Sequence, residues 1–108
     1  MILEDKVFKI TINDDTWHVY AISEDDHAIL EEGDYAETDF AKKELYIRKP
    51  SLQIIRHELI HVFVYYTYTE TVGFTPLQTE ELMCELISWN WDKINNLSIL
   101  IKQQLEAL

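Results

Sequence analysis

The chain holds a single cysteine, Cys84, so no intrachain disulfide can staple it, and a reducing compartment suits that usage. Two glycines and two prolines in 108 residues leave no hinge, repeat or low-complexity tract to mark a boundary. One domain spanning residues 1–108 around one core is therefore expected. No apolar run approaches the roughly 18 residues that a membrane-spanning helix needs. The start, Met1-Ile2-Leu3-Glu4-Asp5, has neither the basic nor the apolar region of a secretory signal, so a cytoplasmic location is expected. Bases are scarce: 9 Lys and Arg stand against 20 Asp and Glu, a net charge of −11. Such a surface repels nucleic acid and acidic membranes, so neither is expected as a direct partner. It attracts cations, and it could also mimic a nucleic acid, which keeps an acidic inhibitor as a competing reading.

What is present reads as a globular α+β chain, with 47% hydrophobic and 27% charged residues. Acids crowd residues 24–39 without a Lys or Arg among them, the pattern of a solvated acidic loop. The first half reads as strands. From Val7 to Ile12 the residues alternate, with Phe8, Ile10 and Ile12 on one face. Asn13-Asp14-Asp15 is a turn signal, and Trp17 to Ile22 returns as the second arm of a hairpin. Tyr35–Thr38 and Glu44–Arg48 are shorter strands on either side of a turn at 39–43, completing an antiparallel meander of three or four strands.

The second half reads as helices. Ser51 is a candidate N-cap, and Leu52, Ile55, Leu59, Val62, Phe63 and Tyr66 then recur at intervals of three and four. Ile54, Val64 and Tyr65 lie on the other side, so this helix is expected to be buried nearly all round. Thr75-Pro76 opens a second long helix, with Thr75 as N-cap and Pro76 in its first turn. Leu77, Cys84, Ile87, Trp91 and Ile94 form its apolar stripe. Asn95-Asn96 is a candidate break before a final amphipathic segment, Ser98–Leu108, whose apolar residues could pack on the core or form a homodimer face.

Inside the first helix lies His57-Glu58-Leu59-Ile60-His61. Residues four apart on an α-helix are about 40° apart around its axis and one turn apart along it, so two imidazoles can share one ion. Glu58, on the edge of that face, can reach a metal-bound water without being a ligand. Two nitrogens, an open position and a carboxylate base are what a zinc hydrolase requires. Random placement of 4 His and 12 Glu gives about 0.02 such motifs in a chain this long. The competing reading is a buried His pair satisfied by protein hydrogen bonds, with Glu58 paired to Arg56 or a lysine.

A two-His site needs a third protein ligand. Glu80, Glu81 and Glu85 of the second helix are candidates, and Glu81 and Glu85 share a face. Glu81 lies near the apolar stripe, where a carboxylate needs a reason. It is the candidate ligand, with Glu85 as the acceptor of the second ring N–H of His57 and as the alternative ligand. His18 reads as a cross-strand packing residue, His27 as a solvated loop residue and Cys84 as core.

Three stretches together resemble the small gluzincin-type metallopeptidases, especially the minimal ones encoded by phages and prophages and distantly related to the ImmA/IrrE and SprT-like groups. The strongest is residues 55–63 around the HExxH motif. The second is Glu80-Glu81-Leu82-Met83-Cys84-Glu85-Leu86-Ile87. The weakest is Ala36-Glu37-Thr38-Asp39 followed by Lys43-Glu44-Leu45-Tyr46-Ile47, similar to the strand pair before the active-site helix. The resemblance implies a minimal zincin-like fold, Zn2+ held by His57, His61 and a downstream Glu, and Glu58 as general base. It also implies a peptide or protein substrate, and for a phage-encoded chain the cytoplasm of a bacterial host. The gluzincin E-x-x-x-D pattern falls on Glu81 and Glu85, with Glu replacing Asp at the second position. SprT-like proteins use a third His, and none follows His61 here. Tyr65, Tyr66 and Tyr68 are candidate oxyanion donors, and a substrate strand is expected to pair with the strand ending near Thr38 or the one ending near Arg48. A zinc-stabilised binding protein without turnover is the other alternative.

Overall fold

The computed structural model describes residues 2–23, 30, 33–68 and 73–107, except for the side chains of residues 2–7, 67 and 68. Most of the acidic stretch at 24–32, with His27, lies outside the described residues, as does the side chain of Tyr68. The elements run β1 (Ile2–Ile12), β2 (Asp15–Ile22), β3 (Ala36–Asp39), β4 (Glu44–Ile47), α1 (Leu52–Tyr68) and α2 (Pro76–Glu106). The chain is thus α+β, a four-stranded sheet followed by two helices.

β1 and β2 form the expected hairpin, pairing Ile10 with Trp17 and Ile12 with Asp15. Asn13 and Asp14 take positive φ values of 52° and 66°. Asn and Asp tolerate that region better than most residues, and the resulting turn matches the twist of the arms. Lys43, at φ 54°, closes the turn between β3 and β4, where the Lys42 N–H donates to Asp39 Oδ1 at 3.0 Å.

The strand order is β1-β2-β4-β3, and β2 pairs with β4 in parallel. This corrects the all-antiparallel meander. β4 enters between its hairpin partner β3 and β2, so β3 is at the edge. Arg48, just after β4, donates to the carbonyls of Ser23, Leu30 and Asp34 at 3.3, 3.0 and 2.6 Å. Those contacts gather the ends of the long β2–β3 connection beside β4.

One face of the sheet supplies Ile10, Ile12, Trp17, Val19, Leu45 and Ile47 to the main core, and the helices supply Ile55, Leu59, Val62, Phe63, Ile94 and Ile101. The other face carries a small cluster of Ile22, Leu30 and Tyr46 beside Tyr20. The Tyr46 hydroxyl donates to Glu44.

Thr75 accepts from the Gln78 N–H while the Gln78 side chain accepts from the Thr75 N–H, so α2 starts where the sequence places it. It then runs unbroken through Asn95-Asn96, contrary to the expected break. The Asn95 side-chain carbonyl is taken by Arg56, at 2.7 Å from Nη2 and 3.1 Å from Nε, and so does not compete for the helix backbone. The second half of α2 is the more firmly anchored: Ile94, Ser98 and Ile101 are buried and Leu86 packs against the core from the first half, whereas Leu77, Cys84, Trp89 and Trp91 are exposed. The continuous apolar stripe and a core position for Cys84 are therefore corrected: among the described residues, α2 first meets the core at Leu86. No helix among the described residues is long and apolar enough to cross a membrane.

Candidate metal centre

The site begins with the cap of α1. Ser51 Oγ accepts from the Ile54 N–H at 3.1 Å, fixing where the helix starts and hence which way each side chain points. Ile55, Leu59, Val62 and Phe63 face the sheet and are buried. Gln53, His57, His61 and Tyr65, each four residues from the next, form an exposed stripe on the other side. The helix is thus not buried all round, and its open face is the one carrying both histidines.

The two rings converge. His57 Nε2 and His61 Nε2 lie 3.1 Å apart, within hydrogen-bond distance of each other, with the rings edge to face. Two nitrogens bound to one tetrahedral zinc at about 2.0–2.1 Å would be about 3.3–3.4 Å apart, so the observed pair is already near that spacing. The Glu58 carboxylate joins them, and ligand atoms of all three residues lie within 4.8 Å of one another. Among the described residues this is the group that could hold a metal ion. Two imidazoles with a carboxylate beside them suit zinc and its first-row neighbours better than calcium or magnesium.

Glu58 differs from its neighbours in burial. Its side chain is 10% exposed, whereas that of His57 is 69% exposed. Its Oε2 is 4.0 Å from His57 Nε2, and its Oε1 accepts a hydrogen bond from Thr38 Oγ1 at 3.0 Å. Arg56, the alternative partner, is turned to Asn95 and lies over the Trp91 ring at 5.8 Å. A cavity of about 320 Å³ opens beside the group, lined by Tyr35, Ala36, Gln53, Ile54, His57 and Glu58.

The other candidate residues lie elsewhere. Glu81 and Glu85 are exposed and line a separate cavity of about 230 Å³ with Phe74, Gln78 and Leu82. Neither belongs to the convergent group. Glu81 does not occupy an inward stripe: it is exposed, and among the described residues no part of α2 before Leu86 packs on the core. His18 is half-buried on β2, in register with Lys9 and Glu44, and strand alternation turns it away from the core face that α1 covers.

Of the tyrosines, Tyr66 is engaged as a donor to Asp15 and an acceptor from Trp17. Burial and Asp15 together push its hydroxyl up to about 12. Tyr65 shares the histidine face and stacks on Phe40 with centroids 4.7 Å apart. Thr38 lies in the weakest of the stretches that carry the resemblance, which implies no role for it. The chain offers no sequence signal for its contact with Glu58, because twenty residues separate them.

No known family, curated protein or solved structure matches this chain.

Proposed function

We propose that the chain is a zinc-dependent metallopeptidase in which His57 and His61 hold the ion and Glu58 is the general base. The observation that supports this reading is the 3.1 Å approach of the two Nε2 atoms with a buried carboxylate beside them. A bound zinc would supply a water with a pKa near 7 and a Lewis acid for the scissile carbonyl. Glu58 accepts a proton at Oε2, the oxygen on the His57 side, and delivers it to the leaving amine nitrogen. The cavity beside His57 and Glu58 gives a peptide room to approach. β4 is paired on both sides, so of the two strands considered for substrate pairing β3 has the free edge. Glu81 as third ligand and Glu85 as the partner of His57 rest on spacing and resemblance, and both are exposed.

The decisive experiment is metal analysis of protein expressed without added zinc, paired with Glu58→Gln. About one zinc per chain is expected, lost in His57→Ala and His61→Ala. Glu58→Gln should keep the metal and abolish cleavage of a labelled casein. A metal-free protein whose stability is indifferent to chelator would overturn the reading. Metal binding with no cleavage by the parent would favour the zinc-stabilised binding protein, a reading supported by the exposed Leu77 and Trp89 of α2.

A further inference from the structure

From the contact between β3 and α1 we infer that Thr38 is a positioning residue that aims the Glu58 carboxylate, an inference that rests on the metallopeptidase reading above. Successive residues of a helix are 100° apart, so Glu58 leaves α1 well to one side of the direction taken by His57. A glutamate has three side-chain torsions, and within α1 the contact that draws its carboxylate toward the imidazoles is a long one, 4.0 Å from Oε2 to His57 Nε2. Thr38 supplies the selection from another element. Its hydroxyl reaches Oε1 at 3.0 Å, while Oε2 is left on the His57 side at 4.0 Å.

The geometry of β3 makes this a firm anchor. Thr38 pairs with Leu45 across the β3–β4 ladder, and strand alternation puts its side chain on the same face as Ala36, which packs against the main core. A β-branched side chain has few torsional choices there. A carboxylate only accepts hydrogen bonds, so the threonine proton must point at Oε1. One oxygen is thereby fixed and the other stays free to take and release a proton. The strand whose edge is open to a substrate also carries the hydroxyl that holds the base, so a peptide paired with β3 would lie in register with both.

Cobalt(II) is the probe, because its visible absorption reports the surroundings of the bound ion without any substrate. Thr38→Val keeps the shape and removes the hydroxyl; Thr38→Ser keeps the hydroxyl. Thr38→Val should bind one cobalt with affinity within about threefold of the parent but change its visible bands. Thr38→Ser should retain the parental spectrum. Glu58→Gln should also change the bands, and adding Thr38→Val to it should change nothing further. If Thr38→Val does not fold, Thr38→Ala takes its place. Parental bands in the hydroxyl-free variant would overturn the role of Thr38 while leaving the metal site standing. Loss of cobalt from a folded Thr38→Val would also overturn it, because the hydroxyl would then act on the ligands rather than on Glu58. Failure of the parent to bind cobalt would instead bring down the metallopeptidase reading, and this inference with it.

Discussion

The indole N–H of Trp17 donates to the Tyr66 hydroxyl at 2.8 Å, and that hydroxyl donates onward to Asp15 Oδ2 at 2.6 Å. Trp17 is completely buried, so its N–H has no access to water. The relay ties the late turns of α1, beyond the histidines, to the β1–β2 hairpin. Tyr66→Phe removes the acceptor and leaves a buried donor unsatisfied, which costs about 1–3 kcal/mol. Urea unfolding of the variant should show a loss in that range with an unchanged slope. A change under about 0.5 kcal/mol would mean that the relay adds nothing to stability.

The same relay sets a pH dependence. The Tyr66 hydroxyl, and after it Lys43 at 3.2 Å, hold Asp15 below its ordinary value of 3.8. A depressed folded pKa contributes stability above the unfolded value, and that stability is lost as pH falls through the lower folded one. Stability below about pH 4 should therefore fall less steeply in Asp15→Asn than in the parent. At the alkaline end the sign reverses. Burial first and Asp15 second push Tyr66 up to about 12. Its contribution is complete below pH 10 and disappears as pH climbs toward 12. Denaturation midpoints across both limits would read the two effects, and Tyr66→Phe should weaken both, leaving at the alkaline end the part that comes from Tyr46 and Tyr20, whose hydroxyls burial also pushes up.

The parts of this fold legible in the sequence are the ones fixed by short-range geometry. The convergence of His57 and His61 follows from a four-residue spacing, the β1–β2 turn from Asn13-Asp14, and the α2 start from Thr75, Pro76 and Gln78. The misses are non-local. Insertion of β4 beside β2 depends on a connection whose return path leaves no periodic trace. The exposure of Glu81 and Cys84 depends on how far the core extends under α2, and an apolar stripe looks alike whether or not anything covers it. Thr38 meets Glu58 only because β3 is an edge strand against α1.

If His57 and His61 hold zinc as proposed, its removal should destabilise the chain as a whole. Free zinc at about a hundred times its dissociation constant would contribute about 2.7 kcal/mol to the folded state. For a chain of 108 residues that corresponds to roughly 10 °C or more in Tm. Excess chelator should lower Tm by that amount, and His57→Ala and His61→Ala should start from the lower value and ignore chelator. Equal melting with and without chelator in the parent would deny the pair a bound ion.

Glu81 and Glu85 separate what the resemblance implies from what the geometry gathers. As the third ligand, Glu81 should cost tenfold or more in zinc affinity when changed to Ala, and Glu85→Ala should cost less than Glu81→Ala, as an outer partner of His57. Competition against a chromogenic chelator measures both. Because the two side chains are exposed, neither substitution should change the stability of the metal-free protein by more than about 0.5 kcal/mol. Parental affinity in both variants would leave His57 and His61 as the protein's nitrogen ligands, with the remaining positions filled by solvent or substrate.

Asn95 and Asn96 are adjacent in α2 and should respond with opposite signs. Asn96 is exposed, so replacing it with Ala should stabilise the helix by up to about 0.6 kcal/mol through propensity alone. Asn95 gains the same increment but loses both contacts from the Arg56 guanidinium, at 2.7 and 3.1 Å. A hydrogen bond from a charged donor contributes about 1.5–3 kcal/mol, and the half-buried setting of Arg56 puts this pair near the low end. Asn95→Ala should therefore be less stable than the parent by about 1 kcal/mol. Arg56 directly precedes His57, so the same variant should also loosen the turn that presents the first imidazole and weaken zinc binding severalfold. If instead both alanines stabilise the chain, the Asn pair acts only as a poor helix former and the Arg56 clamp contributes nothing to holding α2 against α1.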